Sequence, residues 1–252
     1  MKNDIENFLC SLIEEEGIGS IYERFMLKAF FEKLGTRYPF KNVLEYGCKI
    51  TKGYDNLSFM NDKTVTVADA NIDLVKERWK FPSRPEFSGL DIAQKYDLVW
   101  NFALIQQHPQ MLSKMKDLSR KFIMIFTPNI YNCGTPFHWS YHFITRTPCN
   151  HAEQGSKTLR TLNGLKKLLL QNGLKIVEYG YIDMPPIPDI GFSRAELRRY
   201  LGWEKKEKEI KDKPSAEAIL GQINKMMIFE KMNLSLCLQS IVAHHNYIIA
   251  EI

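Results

Sequence analysis

An α/β fold, a mostly parallel sheet sandwiched between helices, is what the sequence predicts, and three observations predict it. From residue 42 onward, short apolar runs of strand length alternate with stretches of helical period. The run Phe122-Ile123-Met124-Ile125-Phe126 is apolar at every position, as suits a strand covered on both faces. The chain has 252 residues, 44% hydrophobic and 25% charged, which fits one large domain or one domain with an appendage. The same balance excludes a disordered, collagenous or coiled-coil chain.

The elements follow in order. Ile5, Phe8, Leu9, Leu12 and Ile13 recur at helical spacing until Gly17 and Gly19 interrupt them. Ser20 is placed to cap a second helix through Phe25, Leu27, Phe30, Phe31 and Leu34, ending at Gly35. Pro39 closes this segment, so residues 1–39 are expected to form a helical cover and residues 40–252 the α/β domain. Val43-Leu44 leads as a strand into Gly47, and the β-branched run Thr64–Ala68 stops at Asp69. Asn71 to Trp79 is predicted helical, Tyr96 to Trp100 a strand, and Pro109 to Leu118 a helix before the Phe122–Phe126 strand. Residues 127–158 lack a clear period and hold Pro128, Pro136 and Pro148; a loop this long is usually functional. Leu159 to Gln171 is an amphipathic helix ended by Asn172-Gly173, and Leu174 to Ile182 is a strand. Pro185-Pro186-Ile187-Pro188 breaks the chain. A helical insertion over 190–243 and a last strand, Asn246 to Ile252, complete it.

No apolar run approaches the roughly 20 residues needed to span a bilayer. Acids at Asp4, Glu6 and Glu14-Glu15-Glu16 are unlike a signal peptide, so a cytoplasmic protein without a membrane partner is expected. The formal charge is +5 with the signs interspersed, and the densest run, Glu204 to Glu209, alternates in sign. A solvated helix face accounts for it, and no nucleic-acid partner is expected. Five cysteines at scattered spacings suggest reduced thiols.

The strand ends carry the chemistry, because ligands of open α/β sheets bind beyond the carboxyl ends of the strands. Glu45-Tyr46-Gly47-Cys48 ends the first strand, Asp69 the second and Asn101 the fourth, with Asp91 between the last two. An acid one strand-helix-strand unit beyond a glycine turn can accept hydrogen bonds from both hydroxyls of a ribose. A short polar side chain one unit further on can meet an adenine amine. Each residue also has a plainer reading. Glu45 and Asp69 can be simple strand-end acids, Asp91 a helix cap, and Asn101 a turn former. Their joint occurrence at these intervals carries more than any one of them.

Val43-Leu44-Glu45-Tyr46-Gly47-Cys48, Val67-Ala68-Asp69-Ala70, Leu90-Asp91-Ile92-Ala93 and Tyr96 to Asn101 together resemble the class I S-adenosylmethionine-dependent methyltransferases over residues 40–182. The resemblance implies a Rossmann-like seven-stranded sheet closed by an antiparallel last strand, with S-adenosylmethionine across the first two strand ends. It implies that Glu45 positions the methionine amino end and that Gly47 and Cys48 let the backbone approach. By the same resemblance Asp69 and Ala70 take the ribose, Asp91 and Ile92 the adenine, and Asn101 and Phe102 lie near the methyl. One departure is plain: the family loop is commonly E-x-G-x-G-x-G, whereas Lys49 and Thr51 stand at the later glycine positions here.

The 127–158 segment holds His138, His142 and His151, with Cys133 and Cys149, among Tyr131, Phe137, Trp139, Tyr141 and Phe143. Three readings stand open: a packed lid, a substrate pocket with His or Tyr as polar contact or base, and a zinc site from His138, His142, Cys149 and His151. The last matches no common zinc spacing, and no metal is expected. For acid–base work, His138 and His142 lead and Tyr141 follows. Gln106, Gln107 and His108 lie within reach of the fourth strand's end, where a helix-start role is equally open. Tyr22, Glu23 and Arg24 can reach a methionine carboxylate or be surface charges of a helix.

No N-P-P-[YF] run follows the fourth strand, where the chain reads Asn101-Phe102-Ala103-Leu104, so base methylation is disfavoured and a small-molecule acceptor expected. The apolar insertion, with Met226, Met227, Ile228, Phe229 and Met232, can wall that acceptor's pocket or form a homodimer surface. Two alternatives remain: a binding or scaffold protein that keeps this fold without turnover, and a nicotinamide-dependent oxidoreductase. The oxidoreductase is disfavoured because no G-x-G-x-x-G follows the first strand.

Overall fold

The computed structural model describes residues 7, 8, 10–48, 63–79, 85–146, 155–186 and 214–252. Lys49, Thr51, Cys149, His151 and the 204–209 charge run lie outside the described residues, as do the side chains of His138 and Tyr141. The elements run α1 (Ile13–Arg37), β1 (Asn42–Tyr46), β2 (Thr64–Ala68), α2 (Ile72–Arg78), β3 (Glu86–Ser88), β4 (Tyr96–Phe102) and α3 (Met111–Leu118). There follow β5 (Ser119–Pro128), α4 (Thr135–Thr145), α5 (Leu162–Gln171), β6 (Lys175–Ile182), α6 (Ala216–Met226), α7 (Ile228–Lys231), α8 (Leu236–Val242) and β7 (His245–Glu251).

The seven strands form one sheet in the order β3-β2-β1-β4-β5-β7-β6. The pairs β1–β2, β1–β4, β2–β3 and β4–β5 are parallel, and β7 runs antiparallel to both β5 and β6. Strand order reverses at β1, which pairs with β2 on one side and β4 on the other, so its carboxyl end is the topological switch point. The predicted α/β sheet with helices on both faces is what forms.

Alternation along the central strands explains their unbroken apolar runs. Val43, Leu98, Trp100, Met124, Phe126 and Ile249 face a layer made by α1 and α6, through Ile21, Phe25, Leu27, Phe31, Ile219 and Ile223. Leu44, Val99, Ile123, Ile125, Ile248 and Ala250 face the opposite way, against Leu112, Met115, Leu165 and Leu169 of α3 and α5. Such strands are apolar over most of their length, and buried polar residues that they carry, such as Glu45 in β1 and Asp97 and Asn101 in β4, sit near strand ends.

Gly17 does break the N-terminal helical run: its φ of 79° and ψ of 166° kink α1 there. The helix then continues unbroken through Ser20 and Gly35 to Arg37, so neither residue is the boundary expected of it. The tail of α5 ends as predicted, with Gly173 left-handed at φ 71°. Two elements differ from the sequence reading. β3 is three half-exposed edge residues with no apolar run to mark it. The expected 127–158 loop is in part a helix, α4, begun by Pro136 in its first turn, where a missing N–H costs nothing.

The four described cysteines, Cys10, Cys48, Cys133 and Cys237, are free thiols. No described helix is long and apolar enough to cross a membrane.

Asp97, early in β4, ties that strand to the start of β1. Its Oδ2 accepts from the backbone N–H of Lys41 at 2.9 Å and of Asn42 at 3.4 Å, and Lys121 Nζ lies 3.4 Å from Oδ1. Burial pushes the carboxyl up, but the two N–H groups and the Lys121 charge outweigh it and hold it below the usual aspartate range. A lowered folded-state pKa gives stability that is complete above the unfolded value, about 3.9, and is lost as pH falls through the lower folded value. Asp97→Asn is therefore expected to melt lower than wild type at pH 7. The difference should shrink as the pH falls below 4, which thermal melts across pH 2.5–7 will read.

Candidate active site

The carboxyl ends of the parallel strands and the start of β7 meet along one edge of the sheet, in two halves. The first half surrounds the end of β1. Gly47 has φ 73°, and its N–H donates to the Ala68 carbonyl at 2.8 Å, joining the ends of β1 and β2. A Cβ on Gly47 would meet Met111 Cε at 2.6 Å and Leu104 Cδ1 at 3.2 Å, so the turn demands glycine both for conformation and for space.

Asn101 holds this turn in place. Its Nδ2 donates to the carbonyls of Tyr46 at 2.7 Å and Gly47 at 3.2 Å, while its Oδ1 accepts from the N–H groups of Leu104 and Ile105, both at 3.1 Å. The side chain is fully buried and its bonding capacity is filled, which leaves it no free donor for a ligand. Its place beside the methyl expected from the resemblance is thereby refined: Asn101 acts as a strap between the β1 and β4 loops, the turn-forming alternative in enlarged form.

Glu45 and Asp69 are buried at the ends of β1 and β2. Asp69 Oδ1 accepts from the Asn71 N–H at 2.8 Å, which fixes the chain's turn into α2. Cys48 is buried beside both acids. Burial first, and then the negative charges of Glu45 and Asp69, push its thiol far above the ordinary range, so it stays protonated. Asp91 is exposed beyond β3, and Ile92 beside it is buried. Burial foremost, with the Asp91 charge second, raises the Tyr46 phenol. Ala70 is exposed at the turn into α2. Glu45, Gly47, Cys48 and Asp69 are thus drawn together from the ends of β1 and β2.

The second half was not read from the sequence. Asp183 follows β6, and His244 and His245 open β7. Antiparallel pairing puts Ile182 opposite His245. Asp183 Oδ2 lies 3.2 Å from His244 Nδ1 and 3.0 Å from His245 Nδ1, and its carbonyl accepts from the His244 N–H at 2.8 Å. Burial alone would raise the Asp183 carboxyl. The His244 charge and the hydrogen bonds from both rings overcome it and hold the group far below the usual range. Phe102, at the end of β4, packs its ring against His245 with centroids 4.8 Å apart.

Glu230 of α7 adjoins this cluster. Its Oε1 accepts from the Tyr22 hydroxyl at 3.1 Å and the Met184 N–H at 2.7 Å. Burial foremost raises its carboxyl, the Met184 N–H opposes that, and Asp183 raises it further. Tyr22 is therefore a buried partner of Glu230 rather than a surface charge. The only sequence signal for this half was position: Asp183 directly follows one strand and the His244-His245 pair directly precedes another.

The other expected residues are dispersed. His138, Tyr141 and His142 are on α4, with His142 half-buried. Phe137, Trp139, Phe143 and Ile144 of the same helix are exposed, Phe143 at 86%. The loop before α4 is pinned by Asn129 and Asn132, whose Nδ2 groups donate to carbonyls of Ser240, Val242 and Ala243. Gln106 is buried and donates to the Ala103 carbonyl, and His108 accepts from the Met111 N–H where α3 begins. Among the described residues no group of three or more His, Cys, Asp or Glu side chains is arranged to hold a metal ion.

This strand order is that of the class I S-adenosylmethionine-dependent methyltransferase fold. Magnesium protoporphyrin IX methyltransferase from Synechocystis, with S-adenosylhomocysteine bound, superposes with a TM-score of 0.51 at 10% identity over 94% of this chain and 85% of that one. An S-adenosylmethionine-dependent methyltransferase from Archaeoglobus fulgidus gives 0.46 at 15% identity, covering 91% and 94%. The plantazolicin methyltransferase bound to S-adenosylhomocysteine gives 0.46 at 13%, covering 99% and 96%. No protein-family model and no curated protein matches the sequence.

Proposed function

We propose that the protein is an S-adenosylmethionine-dependent methyltransferase acting on a small-molecule acceptor. The observation that carries this reading is the set of carboxylates around left-handed Gly47 at the switch point of the sheet. Gly47 holds the turn among them at φ 73°, a conformation that residues with a side chain rarely adopt. Acids suit a cofactor that presents an ammonium, a sulfonium and a ribose diol. In this reading Asp69 takes the diol, Glu45 steers the amino end, Gly47 and Cys48 line the approach, and Ala70 flanks the ribose. Asp91 and Ile92 meet the adenine, while Phe102 shields the methyl from water. The bound cofactor supplies a methyl on a good leaving group; the chain must position the acceptor and exclude solvent. S-adenosylhomocysteine in the similarly folded Synechocystis enzyme supports the choice of cofactor.

Calorimetric titration with S-adenosylhomocysteine tests this. Saturable micromolar binding is expected. Asp69→Ala should weaken it by about 10- to 150-fold, the worth of hydrogen bonds to a charged acceptor at roughly 1.5–3 kcal/mol. Absence of binding with NADH bound instead would overturn the reading. Binding without transfer to any acceptor would favour a non-catalytic protein of the same fold, the reading that Lys49 and Thr51 motivate.

A further inference from the structure

The Asp183–His244–His245 cluster is left unused by the cofactor assignments, and its construction is that of a base. A carboxylate is an acceptor only, so an imidazole Nδ1 bonded to it carries the hydrogen, and Nε2 is the basic nitrogen of the neutral ring. Asp183 holds this geometry from a left-handed backbone at φ 69°, a conformation costly for a non-glycine residue and enriched at active sites. The other such residue at a strand end is Ala103, at φ 57°, immediately after Phe102. His245 is the ring in contact with Phe102, and so lies between the Asp183 carboxylate and the end of β4. Neighbouring carboxyls are driven apart in acidity, Asp183 down and Glu230 up, a pattern that marks divided acid–base roles.

Resting on the methyltransferase reading, we propose that His245, oriented by Asp183, is the general base for the transfer, and that the acceptor is an aromatic hydroxyl or amine. The acceptor's O–H or N–H proton passes to His245 Nε2 while the heteroatom's lone pair forms the bond to the methyl carbon. The carbon–sulfur bond breaks with its electron pair to sulfur, and the imidazolium later yields its proton to water. Asp183 is the positioning residue. The Phe102 ring makes the entrance one that a planar acceptor fits. A carbanion or thiolate acceptor would have no need of this base at neutral pH.

The test uses the full chain. Transfer of labelled methyl from S-adenosylmethionine is measured to a pool of catechol, 4-nitrophenol, tyramine and phenylethylamine. His245→Gln is expected to lower kcat by about 10²- to 10⁴-fold. Its KM for S-adenosylmethionine and its affinity for S-adenosylhomocysteine should stay within about threefold of wild type. Asp183→Asn should lower kcat with the same unchanged affinity. Independently of turnover, carbethoxylation of wild-type protein, located by peptide sequencing, should modify His245 and be slowed by catechol in the presence of S-adenosylhomocysteine.

Protein that binds no S-adenosylhomocysteine overturns the methyltransferase reading and the inference with it. Protein that binds it yet methylates nothing in the pool, or whose His245→Gln variant keeps wild-type kcat, overturns the inference alone. So does a His245 that resists carbethoxylation.

Discussion

Asn101→Ala is expected to lower the melting temperature by about 10 °C, from a loss of about 3–4 kcal/mol in a domain of this size. Four hydrogen bonds vanish at once, and the groups they leave behind are backbone groups of the two loops that the side chain bridges. Buried backbone carbonyls and N–H groups without partners carry their full desolvation penalty. Affinity for S-adenosylhomocysteine should fall with the stability, because the carbonyl of left-handed Gly47 is one of the four anchored groups. Asn101→Asp should be no better: it keeps the shape but turns a donor toward two carbonyls into a buried negative charge. An Ala variant melting within about 2 °C of wild type would show that the strap is dispensable.

Phe126→Ala is expected to cost about 3–5 kcal/mol, read as a lower urea midpoint at an unchanged slope. Phe126 is fully buried near the middle of the sheet, and five rings pack on it: Phe30, Phe31, Trp100, Phe102 and Tyr247, at centroid distances of 5.7, 6.4, 5.9, 5.5 and 6.4 Å. The cavity would open between α1 and the sheet, and five rings held from two strands and a helix cannot all collapse into it. Phe126→Leu should cost less than about 1.5 kcal/mol, since most of the volume is kept. Equal losses for the two would mean that ring packing, not volume, sets the cost. Phe102 rests on both Phe126 and His245, so the Ala variant should also disturb the acceptor side of the site.

Most of the strands were legible because a parallel strand between two helical layers is apolar over most of its length, as Phe122 to Phe126 is. β3 escaped because an edge strand of three half-exposed residues obeys no such demand. α4 escaped for a related reason. Phe137, Trp139 and Phe143 face outward, so they mark no buried stripe, and Pro136 is equally at home in a loop. Of the candidate site, Glu45, Gly47, Asp69 and Asp91 were visible because they follow strands in succession, so spacing along the chain reports proximity in space. Asn101 was visible as a strand-end residue, but its work as a strap depends on Tyr46, some 55 residues earlier.

Local order along the chain therefore settled the alternation of strands and helices and the positions of the acids at the strand tips. Each of these follows from a run of a few residues and the period it must have to be buried. Which tips become neighbours was decided only by the folded sheet. Asp183 and His245 are separated by 62 positions and a helical insertion, and antiparallel pairing of β6 with β7 puts them 3.0 Å apart. A hydrogen bond depends on distance in space, and register across a sheet is set by how both of its faces pack, which no single segment contains.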